Sequence, residues 1–199
     1  MTKAVQISEE VLFIASRASS GIMNGSFYGK QWIFVGIGVI LTFAFTYFSI
    51  EHHRDQFFRR LVFKSWPKWK KIVFISSFIL ALLSIGFTAA SFAFPTWFFD
   101  IHAWTFLTQS FQSVCIFLND PRNWWRMLLM VLPAVFFQKF FVNIFSGKPW
   151  WYNGTDTNTG KYWTMWGIKV PRLFAGNMTF RLIGTVVCLM TLYLTKKKK

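Results

Sequence analysis

Long uncharged apolar stretches recur along the chain and predict membrane-spanning helices. Residues 32–50 provide 19 consecutive residues without a formal charge, and residues 72–94 provide 23. At a rise of about 1.5 Å per residue, either stretch is long enough to cross a hydrocarbon core about 30 Å thick. We therefore predict an all-α integral membrane protein in which both stretches span the bilayer.

A third apolar stretch, residues 101–118, carries a polar stripe. His102, Thr105, Gln109 and Gln112 recur at spacings of three and four, which places them on one face of a helix. A helix surrounded by lipid would not keep such a stripe. The stretch is therefore expected either to span with its polar side against other helices or to lie flat at the interface.

Two further stretches are predicted to span despite internal charges. Residues 124–145 carry Arg126 near one end and Lys139 near the other, where long side chains can reach the interface. Residues 173–195 contain Arg181, which lies in an apolar span without an acidic residue. A lipid phosphate or a neighbouring subunit would relieve the cost of that charge, and the alternative is that the side chain extends to the nearby interface.

The pattern divides the chain into three parts. Residues 1–31 form an N-terminal interfacial segment, in which an amphipathic helix is followed by a flexible Gly-rich lead-in. Residues 32–195 form a polytopic transmembrane domain, and residues 196–199 form a lysine tail. Within the domain, residues 51–71 are a basic loop, and residues 146–172 are a hydrophilic loop whose Trp and Tyr residues are typical of the membrane interface.

The distribution of cations predicts the number of spans. Residues 51–71 hold seven Lys and Arg residues, and four lysines end the chain. Both groups should face the cytoplasm, or the matrix of a mitochondrion. Five spans satisfy this condition, and three spans do so if residues 101–145 lie in the membrane or re-enter it. Four spans would place the two basic groups on opposite sides, so that count is the least favoured.

Charge also indicates the partners. The chain has 22 Lys and Arg against 7 Asp and Glu, a formal net charge of +15. In a soluble protein this excess would suggest nucleic acid. Here the cations flank apolar stretches, so we expect them to contact anionic phospholipid, such as cardiolipin, and no nucleic acid. The side chains expected to contact lipid headgroups or partner subunits are Arg59, Arg60, Lys64, Lys68, Lys70, Lys71 and Arg181.

Small residues in the second span predict a face that packs against protein. Small side chains let another helix approach closely in a membrane. The alternative is that such residues are common in spanning helices whatever they face. Ser77, Ala81, Ala89 and Ala93 form one predicted stripe, and Gly86 and Ala90 form a small-xxx-small pair.

Few residues offer chemistry. His102 is a candidate axial haem ligand that would need a second ligand from another subunit, and the alternative is an interfacial histidine that is hydrogen-bonded. His52 and His53 lie beside Glu51 and Asp55, a set that is more typical of a hydrated helix end than of a metal site. We expect no catalytic residues and no metal site.

These observations favour an accessory, non-catalytic subunit of a multi-subunit membrane complex. The expected location is the mitochondrial inner membrane, in the respiratory chain or ATP synthase. An alternative is an endoplasmic-reticulum protein, either a lipid-processing enzyme or a trafficking factor, because the terminal lysines resemble a dilysine retrieval signal. A bacterial inner-membrane component of a secretion or transport machine is a further alternative.

Overall fold

The computed structural model describes residues 9–51, 66–94, 96–119, 124–152, 162–171 and 178–197. In these ranges the chain forms six helices and one β-hairpin. The elements are α1 (Glu9–Tyr28), α2 (Trp32–Glu51), α3 (Lys68–Ala93), α4 (Ile101–Asn119), α5 (Trp124–Phe145), β1 (Tyr162–Met165), β2 (Ile168–Pro171) and α6 (Met178–Lys197). The predicted α-helical membrane protein is confirmed at this level, with a small hairpin that the sequence pattern did not predict.

Four helices in the described part of the chain are long and apolar enough to cross a membrane, one fewer than predicted. They cover Trp32–Ile50, Lys68–Ala93, Leu128–Phe145 and Met178–Thr195. The fifth predicted span, residues 101–118, does form a 19-residue helix, α4. The polar residues of α4 lower its mean hydropathy, so α4 is not one of these four helices.

Helices α3 and α4 form an antiparallel pair along their whole length. At one end the Cys115 thiol lies 3.7 Å from the carbonyl oxygen of Phe74. At the other end the rings of Phe87 and Trp104 lie 4.5 Å apart, centroid to centroid. The polar helix α4 therefore extends to the same depth as the apolar helix α3.

Successive helices alternate in direction, so the bundle has two ends. At one end Phe13 of α1 packs with Ile116 of α4, Met130 of α5 and Leu192 of α6. The first turn of α3, with Lys68, Lys70 and Lys71, lies at this same end, since Phe74 packs there with Ile50 and Cys115. We call it the basic end, and we call the opposite end the hairpin end.

The first helix is the central helix of the bundle, which differs from the interfacial segment predicted for residues 1–31. Helix α1 packs against both α2 and α5. It runs parallel to α5, since Glu10 pairs with Arg126 at the basic end and Gly29 meets Phe145 at the other. Ser16, Ser20 and other polar residues of α1 are buried because they face protein.

Glycines explain this close packing. Gly21, Gly25 and Gly29 follow at four-residue spacing and face the backbone of α5. A Cβ atom at Gly25 would lie 2.6 Å from the carbonyl oxygen of Val142. Such a spacing of small residues lets two membrane helices approach closely. The predicted flexible lead-in is therefore wrong in the described residues, because its glycines form a helix–helix contact.

The hairpin docks on the start of α4. Strands β1 and β2 are antiparallel, with Met165 opposite Ile168. Trp166 and Gly167 connect them, both with positive φ, as a type I′ turn requires. The amide of Trp166 donates to Asp100 Oδ2 at 2.9 Å. Asp100 Oδ1 also accepts the backbone amide of His102 at 2.8 Å, so one carboxylate caps α4 and holds the hairpin.

Candidate functional site

A small polar cavity lies in the middle of the bundle, between α1, α2, α3 and α4. Its volume is about 10 Å³, and ten of its twelve lining residues are polar. The polar residues are Ser16, Arg17, Ser20, Thr42, Thr46, Thr88, Thr105, Thr108, Gln109 and Gln112. Of the predicted stripe of His102, Thr105, Gln109 and Gln112, the last three therefore face other helices, whereas His102 is exposed. That this helix spans the membrane stays a prediction.

A hydrogen-bonded chain crosses three of these helices. Gln112 Nε2 of α4 donates to Ser49 Oγ of α2 at 2.6 Å. The Ser16 hydroxyl of α1 donates to Gln112 Oε1 at 3.3 Å. Other hydroxyls bond within their own helix, such as Thr42 Oγ1, which donates to the Gly38 carbonyl at 2.7 Å. These bonds satisfy part of the polar interior.

Three buried polar atoms around the cavity are not satisfied. Thr46 Oγ1, Thr105 Oγ1 and Gln109 Nε2 have no hydrogen-bond partner among the described residues. Thr46 is fully buried and Thr105 is 9% exposed. Since buried polar groups in native proteins are nearly always hydrogen-bonded, these three atoms indicate a partner that is neither side chain nor backbone of the described chain.

Arg17 is one of the residues that line this cavity. Its side chain is 7% exposed, and Nη2 donates to the neutral amide oxygen of Gln138 at 2.7 Å. Within the part of the chain that the structure describes, no carboxylate lies within 4.0 Å of this guanidinium. Arg126, in contrast, pairs with Glu10. Arg17 was not among the predicted site residues, because residues 1–31 were assigned to the membrane surface.

The predicted lipid-contacting cations are only partly within the described chain. Arg59, Arg60 and Lys64 lie outside the described residues. Lys68, Lys70 and Lys71 occupy the first turn of α3, where the Lys70 ammonium lies 3.8 Å from the centroid of the Trp66 ring. Arg181 is buried on α6, which packs against α5. Binding of anionic lipid by these residues stays a prediction.

The predicted small-residue stripe of α3 does not form a single face. Ser77 and Ala81 are buried, Ala89 and Ala90 are half-buried, and Gly86 and Ala93 are exposed. Because a helix has about 3.6 residues per turn, four steps of four residues rotate a position by about 160°. The stripe thus turns from the interior at Ser77 to the outside at Ala93.

The candidate haem ligand His102 lies at the surface. It is exposed in the first turn of α4, at the hairpin end. Among the described residues, no three His, Cys, Asp or Glu side chains come together in a group that could hold a metal ion. His52 and His53 fall outside the described residues. Haem ligation by His102 stays a prediction.

Aromatic side chains meet at the hairpin end. An open recess of about 550 Å³ is lined there by aromatic residues from the end of α1, the α3–α4 connection and the hairpin turn. Phe27 and Phe92 stack at 4.2 Å, and the indole Nε1 of Trp166 donates to the Phe98 carbonyl at 3.2 Å. Such a concentration is typical of the membrane–water interface.

Comparison with protein-family models, curated proteins and solved structures gives no match for this chain.

Proposed function

We propose that the protein is a non-catalytic accessory subunit of a multi-subunit membrane complex. The observation that carries this proposal is the position of two glycines, Gly36 of α2 and Gly86 of α3. Both are exposed, and a Cβ atom added at either would meet nothing within 4 Å. At both positions the outer surface of the bundle has no side chain, so another helix could approach the backbone closely.

The other helical glycines give this observation its meaning. Gly21, Gly25, Gly38 and Gly184 each face another helix closely. A Cβ atom at Gly38, for example, would lie 2.6 Å from the Met23 amide nitrogen. Within this chain, glycine therefore marks helix–helix contacts. Gly36 and Gly86 follow the same rule if the helices that they contact belong to other subunits.

The two outward glycines also lie at similar depths. Gly36 is four residues from the start of α2 and Gly86 is seven from the end of α3, both at the hairpin end. At about 1.5 Å per residue, these positions correspond to depths of about 6 and 10 Å. Because α2 and α3 pack together, a single partner helix has the length to contact both.

We extend the proposal to compartment and lipid. The mitochondrial inner membrane, in the respiratory chain or ATP synthase, suits a small polytopic chain with a net charge of +15, and an anionic phospholipid such as cardiolipin suits the cations at the basic end. Subcellular fractionation tests this placement. A glycosidase-sensitive shift at Asn153 would instead favour the endoplasmic reticulum.

The main experiment is purification of the tagged full-length chain in mild detergent, followed by mass spectrometry of the proteins recovered with it. We expect other integral membrane proteins in fixed stoichiometry. Gly36→Leu and Gly86→Leu should each lower their recovery about tenfold, equivalent to about 1.4 kcal/mol of association energy. Val187→Leu, at a position that is 58% exposed on α6, is the matched control and should retain them.

Two results would contradict the proposal. A wild-type chain that purifies alone as a monodisperse monomer is not a subunit. Full recovery of the partners with both leucine variants would show that the outward glycines do not form the interface.

A further inference from the structure

We infer that the polar cavity between α1, α2, α3 and α4 is a binding site for a single halide ion, chloride under cellular conditions. The site is formed by the Arg17 guanidinium, the hydroxyls of Thr46 and Thr105, and the Gln109 amide. This inference is independent of the proposed function.

Charge is the first argument. Arg17 is buried in the central helix, and its described partner, the amide oxygen of Gln138, is neutral. Of the carboxylates whose side chains the structure describes, Glu10 pairs with Arg126 and Asp100 caps α4 at the hairpin end. A buried charge without a counter-charge is strongly unfavourable in a medium of low dielectric constant. A bound anion would neutralise it.

The second argument is the set of unsatisfied groups. Gln109 Nε2 is a hydrogen-bond donor, and the hydroxyls of Thr46 and Thr105 can turn their hydrogens into the cavity. Together with Arg17, these donors come from three different helices and line the same space. A ring of donors around a positive charge is complementary to an anion.

Size selects the anion. The cavity volume of about 10 Å³ is close to the minimum that admits one water-sized particle. Phosphate, a carboxylate or a lipid headgroup is too large for it. A monatomic halide comes nearer to this size than those groups; it is larger than water, so the side chains that line the cavity must move outward to accommodate it. A lone water would satisfy the hydroxyls and the amide but would leave the charge of Arg17 uncompensated.

The test measures thermal unfolding of the full-length protein in mild detergent. Sodium gluconate is replaced stepwise by sodium chloride or sodium bromide at constant ionic strength. Ligand binding to the folded state raises the unfolding midpoint, and we expect a rise of about 5 °C with chloride at about 100 times its Kd. Bromide should act similarly, and gluconate should not.

Variants locate the effect. Thr46→Val and Thr105→Val preserve the shape of the side chain but remove a hydroxyl, and each should weaken the apparent halide affinity at least tenfold. Arg17→Gln should abolish the halide dependence. Thr191→Val is the matched control, because the Thr191 hydroxyl bonds to the Val187 carbonyl of α6, far from the cavity. It should keep the wild-type response.

Several outcomes would overturn the inference. If chloride and bromide stabilise the wild type no more than gluconate does, the cavity holds water only. If the halide response is unchanged in both valine variants, the ion binds elsewhere. A bromide anomalous-scattering peak beside Arg17 would locate the ion directly, and a peak only at other positions would exclude this site.

Discussion

Arg126 in the first turn of α5 places Nη2 2.5 Å from Oε1 of Glu10 in the first turn of α1. The pair joins the starts of two parallel helices that are more than a hundred residues apart in the chain. It therefore fixes both helix starts at the basic end. Along the chain, successive helices run in opposite directions between the two ends of the bundle.

The alternating directions of the helices predict on which side of the membrane each loop lies. If all six helices cross the bilayer, residues 51–71 and the terminal lysines share one side, as the cation distribution demands, and the hairpin lies on the other. After replacement of Cys115 and Cys188, a cysteine introduced by Arg60→Cys should react with an impermeant reagent from the side of a C-terminal tag. Ile168→Cys should react from the opposite side only. Labelling of both from one side would exclude six crossings.

The glycine contact between α1 and α5 should be essential for stability. Gly25→Val places side-chain atoms against the Val142 carbonyl, where a Cβ atom alone would already lie 2.6 Å away. Overpacking of this kind costs about 1–3 kcal/mol. We expect a lower unfolding midpoint in detergent for the isolated chain. Ser76→Val, which adds bulk at an exposed position of α3, should change it little, and an equal loss in both variants would contradict the prediction.

The Glu10–Arg126 pair should contribute modestly. Both side chains are partly exposed, at 13% and 20%. Ion pairs with water access typically contribute up to about 1 kcal/mol. A double-mutant cycle with Glu10→Gln and Arg126→Gln should give a coupling energy in this range that decreases at high salt. A coupling near zero at low salt would contradict this stabilising role of the pair.

Asp100 should couple the start of α4 to the hairpin. Asp100→Ala removes the acceptor for the amides of His102, Ala103 and Trp166. Loss of a helix N-cap costs about 0.5–2 kcal/mol. We expect faster amide hydrogen exchange in residues 162–171 as well as in the first turn of α4. Asp100→Asn retains an acceptor and should behave much closer to wild type, whereas unchanged exchange in the alanine variant would contradict this role.

The long apolar helices were predictable from the sequence because each depends on a local property. Uncharged runs at residues 32–50 and 72–94 require hydrocarbon around them, and the structure forms helices α2 and α3 there. The helical face shared by Thr105, Gln109 and Gln112 was likewise correct, since it follows from a period of 3.6 residues alone, whereas His102, predicted on the same face, is exposed.

The role of α1 was not predictable in the same way. Its serines and glycines look like a flexible polar segment until α5 is placed beside them. The burial of Arg17 and the contact of Gly25 with Val142 depend on residues far along the chain. The one available signal was the four-residue spacing of Gly21, Gly25 and Gly29, which is the pattern of a close helix contact. The hairpin was not predicted either, because the turn that defines it consists of only two residues, Trp166 and Gly167.

The parallel pairing of α1 with α5 has a consequence for biogenesis. Helix α1 is not among the helices that are apolar enough to cross a membrane alone, and its glycine face meets a backbone that ends at Phe145. While the ribosome is still synthesising the first half of the protein, that face has no partner. The close contact between α1 and α5 can therefore form only after residues 124–145 have been synthesised.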